Sequence, residues 1–274
     1  MKTNQKHRLT QPTLYKSLIR DFWVFFVVIG VGVISALNEI HTAVYRSPAQ
    51  VYVEFMNGPD RVIFPVVVAL IYGTTLSQEI SHRFIASTRA RQDVRNRLVI
   101  LFTRATARAF VGFAALVLSY WLVAICVVPA LWPHATDSSA YALGGNRLYY
   151  LDDVSQSPLS ANLKSGWGMF CLASFAWMAI CIVAFGAVSF ISVMYIHKTV
   201  LALVAPMIFY ILESLAFQLL GMPVYSFLIS GIYPAGLQHI ELSQAIVPAL
   251  GTLVIGAISL VVSIARSPGN PRFS

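Results

Sequence analysis

Six stretches of this chain stay apolar for about the length of a bilayer crossing: 22–38, 62–78, 107–131, 167–191, 199–221 and 245–265. A helix rises about 1.5 Å per residue, so roughly 20 mostly apolar residues cross a hydrocarbon core of about 30 Å. The second stretch carries Pro65 near one end, and the fourth and fifth are separated by a tight turn at His197 and Lys198. The pattern predicts an all-α membrane protein with six transmembrane helices. It forms one domain over 1–274, with an N-terminal segment 1–21, a six-span body 22–265 and a tail 266–274.

The polar stretches carry two shorter patterns. In QPTLYKSLIRD (11–21), Leu14, Leu18 and Phe22 recur every four residues while Lys16 and Arg20 turn away. Pro12 suits a first helical turn, where its missing N–H costs nothing. This predicts a short amphipathic helix lying on the membrane surface before the first span. In 222–244, Pro223 and Pro234 bracket an apolar run, Val224 to Tyr233, that is too short to cross. We expect a re-entrant element there, which protein or water must satisfy at membrane depth.

Composition agrees with the periodicity. Hydrophobic residues make up 57% of the chain and charged residues 11%, where a soluble domain carries roughly 25% charged. Of the 19 Lys and Arg, 15 fall on one side of the expected topology and 4 on the other. Cationic loops stay on the cytoplasmic side, so both termini are expected in the cytoplasm. Trp132, Tyr149, Tyr150 and Trp167 would mark the outer interface and Trp23 the inner one. The net charge of +8 is then topological and faces anionic lipids rather than nucleic acid. No cleavable leader is expected at the N-terminus, and the arginine-rich inner loops fit a multi-pass protein of a bacterial plasma membrane.

Most of that charge lies in one place. Gln78 to Arg108 holds seven arginines, more than topology alone requires. Glu79 and Arg83 stand four residues apart, a favourable helical ion-pair spacing. Phe84, Ile85, Val94, Leu98 and Leu101 give apolar faces among the arginines. Such a segment suits docking into a partner's groove. Elsewhere chemistry is sparse. There is no phosphate-loop, H-E-x-x-H or G-x-S-x-G motif, and the six histidines never pair at metal-ligand spacing. Cys126, Cys171 and Cys181 read as small apolar residues. No catalytic residue, metal site or cofactor bound by this chain is expected. Glu213 is the one carboxylate deep in an expected span. It is either a polar site facing a wet cavity or a hydrogen-bonding group between helices.

Together these features resemble the permease (membrane) subunit of an ABC-2 type ATP-binding-cassette exporter. The resemblance is carried by the helix Pro12–Arg20, the loop TTLSQEISHRFIASTRARQDVRNRLV, the proline-containing KTVLALVAPMIFYIL and the Val224–Tyr233 element. The loop lacks the Pro-x-Ser-Arg found in many members. The resemblance implies a coupling helix near Ser87–Arg97, with Glu79, Arg83, Arg89, Arg91, Asp93 and Arg95 contacting a separate ABC ATPase subunit. ATP and Mg would be bound there. It also implies a second permease subunit, identical or related, and a translocation path touched by Tyr72, Phe209 and Glu213. A hydrophobic or peptide-like substrate would be exported. Two other classes compete: a carrier driven by an ion gradient, and a non-transporting scaffold or immunity protein.

Overall fold

The computed structural model describes residues 11–40, 45, 47–58, 60–81, 93–136, 157–234 and 240–267. Among the described residues seven helices carry the fold: α1 (Gln11–Ile40), α2 (Pro48–Asn57), α3 (Asp60–Ser81), α4 (Val94–Leu131), α5 (Trp167–Tyr195), α6 (Thr199–Leu219) and α7 (Leu242–Arg266). No strand occurs among the described residues, only a single bridge between Tyr45 and Thr136.

Four helices, α4 to α7, are long and apolar enough to cross a membrane, and a fifth crossing exists if α2 and α3 are one bent span. Five of the six expected stretches lie within a helix, and the sixth, 199–221, overruns α6 by two residues. Six crossings would also need α1, whose apolar part is only Phe22–Ser35. At about 1.5 Å per residue that part spans roughly 21 Å, because Asn38 and Glu39 close the apolar run early. The amphipathic segment is not a separate helix either: α1 continues without a break from Gln11.

The helix α2 is absent from the sequence-based expectation, which treats its residues as an outer connection. Ser47 starts it by accepting a hydrogen bond from Gln50 N. Its side chains Val51, Tyr52, Val53, Phe55 and Met56 are all buried, and it meets α3 at 59°. Apolar residues on every side make a helix core rather than loop.

The bundle is organised round α5, which packs against α3, α4, α6 and α7. More than half of its apolar stretch is buried, against about a fifth for α6. Small residues let neighbours approach closely. Tyr72 of α3 lies over Gly186, where a Cβ would sit 2.4 Å from its ring, and Gly256 of α7 meets Ala187. On the other side of the core, the Phe25 ring of α1 fills the space over Gly112 and stands edge-on to Phe113 at 5.2 Å. The outward faces of α4, α6 and α7 are rows of exposed apolar side chains, among them Val111, Val200, Ile211 and Val261. Such faces are stable against lipid and not against water. This is a helical transmembrane protein.

Candidate functional site

The arginine-rich segment is held at both ends. On one side α3 runs to Ser81, and on the other α4 starts at Val94. The start of α4 is set by Asp93, whose carboxylate accepts from Arg95 N at 3.3 Å. That satisfies one of the free amides of the first turn and complements the helix dipole. Side-chain links then join α3 to α4. Tyr72 Oη and Thr106 Oγ1 lie 2.8 Å apart. Arg108 Nη2 donates to Thr75 Oγ1 at 2.9 Å. Nearest the loop, Arg97 Nη2 donates to Glu79 Oε1 at 2.7 Å, with both side chains about four-fifths buried. A fourth link leaves the pair: Arg95 Nη2 donates to Ala265 O at 2.9 Å, a cation placed on the last carbonyls of α7. The helices that flank 82–92 in the chain, α3 and α4, thus form a braced two-helix stem that is tied to the last helix.

Of the six residues expected to meet an ATPase, Glu79, Asp93 and Arg95 belong to this stem. Each has an intramolecular role: brace, helix cap and tie to α7. Arg83, Arg89 and Arg91 lie outside the described residues. The residues that complete the stem, Thr75, Arg97, Thr106 and Arg108, become legible as partners only once α3 and α4 are side by side. Glu79 meets a cation 18 positions away on another helix, Arg97; the four-residue partner the spacing suggested, Arg83, lies outside the described residues.

The opposite end of the bundle is built round a short buried turn. Pro223–Tyr225 forms a 3-10 turn and Phe227–Gly231 a π turn, and Phe227, Ser230, Gly231, Ile232 and Tyr233 are all buried. Too few of their amides are paired within the turn, so neighbouring helices satisfy the rest. Glu213 Oε2 of α6 accepts from Phe227 N at 3.1 Å and from Ser214 Oγ at 3.3 Å. Arg61 of α3 donates to Ile229 O and, at 3.1 Å, to Asn57 Oδ1. Trp177 Nε1 and Cys181 Sγ of α5 approach Gly231 O at 2.8 and 3.2 Å. Ser230 Oγ reaches Gln244 O of α7 at 3.3 Å. Four helices therefore hold five residues of non-spanning backbone.

The three residues expected on a path are not brought together. Tyr72 is fully buried and bonded to Thr106. Phe209 is half-buried, its ring 6.2 Å from Phe185. Glu213 caps the π turn, while its Oε1 is buried with no hydrogen-bond partner among the described residues. A cavity of about 20 Å³ lies elsewhere, lined by Arg61, Met56, Phe64, Tyr120, Met178 and Tyr233 among others, and has room for about one water molecule. Arg61 was open to sequence reasoning as a lone cation in an apolar outer stretch, but its receptor, a carbonyl 168 positions away, was not. No group of three His, Cys, Asp or Glu side chains that could hold a metal occurs among the described residues.

No family model matches the chain, and no curated protein and no solved structure gives a match.

Proposed function

We propose that this chain is the membrane-spanning permease subunit of an ABC-2 type exporter. It would move a hydrophobic or peptide-like substrate across the plasma membrane with ATP hydrolysed by a separate ATPase subunit. The observation that carries the reading is the braced stem. A connector needs no support, but a lever does. The Glu79–Arg97, Thr75–Arg108 and Tyr72–Thr106 links make α3 and α4 one body at the loop, and Arg95 couples that body to α7. Force applied at 82–92 would move three helices together. The clamped π turn before α7 is compatible with the re-entrant segment that the resemblance implies there.

On this reading ATP and Mg belong to the partner ATPase, and a second permease subunit completes the path. Arg83, Arg89 and Arg91 meet acidic groups on the ATPase and set register more than affinity. Glu79, Asp93 and Arg95 shape the stem that presents them. Purification in mild detergent tests the proposal. The wild-type chain brings down a stoichiometric soluble protein with a phosphate-loop motif, and Arg89→Glu with Arg91→Glu loses that protein while still inserting in the membrane. Recovery of the chain without any such protein sinks the exporter reading. Undiminished recovery with the double variant sinks only the docking assignment.

A further inference from the structure

We propose that Arg104 and Arg108 of α4 form a binding site for the phosphate of an anionic phospholipid. Neither residue belongs to the docking set, and the inference needs only that α4 crosses the membrane.

The depth of the two arginines follows from the helix. Leu131, at the outer end of α4, is exposed and is followed by Trp132, an interfacial residue type. Counting back along the helix at about 1.5 Å per residue, a hydrocarbon core of about 30 Å ends near Val111. The lipid-facing stripe agrees, since Val111, Leu118 and Leu122 are exposed. Arg108 and Arg104 then fall roughly 5–10 Å beyond the hydrocarbon, at the level of the headgroups.

Their geometry suits an anion. Helical side chains lean toward the N-terminus, and Arg108 does so: its Nε lies 3.4 Å from Arg104 O, and its Nη2 is held by Thr75 Oγ1. The Arg108 head is thereby drawn back to the level of Arg104. The Arg104 side chain is exposed, and its guanidinium makes no hydrogen bond or ion pair among the described residues. A phosphate at this level would meet the exposed Arg104 guanidinium one turn from that of Arg108. Arg is suited to this, because its planar fork matches phosphate oxygens. The acyl chains would run along the exposed stripe below. On the adjacent helix α1, whose Phe25 packs over Gly112, Phe22, Trp23 and Phe26 form an exposed aromatic cluster with ring centroids 5.7–6.3 Å apart, in keeping with a membrane boundary there.

Native mass spectrometry of the full chain with phosphatidylglycerol or phosphatidylcholine of matched acyl chains tests the site. The wild type retains phosphatidylglycerol in preference, and Arg104→Gln lowers that retention about fivefold, the effect of one arginine near an anionic surface. Retention of phosphatidylcholine stays unchanged, and Arg104→Lys keeps most of the preference. A wild type that retains both lipids equally overturns the proposal, whatever the variant does. So does Arg104→Gln with undiminished phosphatidylglycerol. Loss of a co-purifying soluble protein with lipid retention intact also overturns it, in favour of protein docking at these arginines.

Discussion

The ion pair between Glu79 and Arg97 gives the sharpest test of the stem. An exposed pair contributes about 0–1 kcal/mol, and breaking a fully buried one costs about 3–5 kcal/mol. The side chains here are 21% and 16% exposed, so each single change should fall between those limits, about 1–2 kcal/mol. The two partners are not equivalent. Glu79 Oε2 is buried without a hydrogen-bond partner among the described residues, so removing Arg97 leaves a carboxylate with little to offset its desolvation. Removing the charge of Glu79 leaves a Gln oxygen that still accepts from Arg97. Arg97→Gln is therefore expected to destabilise more than Glu79→Gln. The double variant should lose about 1 kcal/mol less than the sum of the singles. Equilibrium unfolding in mixed micelles, followed by tryptophan fluorescence, measures all three. Additivity within about 0.3 kcal/mol, or a larger loss for Glu79→Gln, refutes the brace.

Two further outcomes test the packing and the buried turn before α7. Gly112→Ala should destabilise by about 1–3 kcal/mol, because its Cβ would meet the Phe25 ring at 1.8 Å, and Phe25→Leu should restore part of the loss. Gly30→Ala, with nothing within 4 Å, should instead gain up to about 1 kcal/mol of helix propensity. Thermal unfolding of both variants checks the pair. At Glu213, Gln keeps the acceptor for Phe227 N and should cost under about 1 kcal/mol, whereas Ala strands that amide and should cost about 1–3 kcal/mol. Equal losses would show that the charge itself matters.

Runs of apolar residues about 20 long, with arginines between them, determined by themselves that this chain is a helical membrane protein. Helical boundaries followed, since α5, α6 and α7 start within a few residues of the expected stretches. This legibility is physical: lipid forces every backbone group to pair within its own segment, so a spanning helix is written locally. What joins distant segments was not written locally. The burial of α2 depends on α3, α4 and α5 being present to cover it. The bond between Glu79 and Arg97, 18 positions apart, exists only because α3 and α4 pack side by side. Glu213 could be read from sequence as a path residue or as a hydrogen-bonding group. Tertiary structure places it under Phe227 N, because a five-residue turn buried among helices needs acceptors and donors from its neighbours.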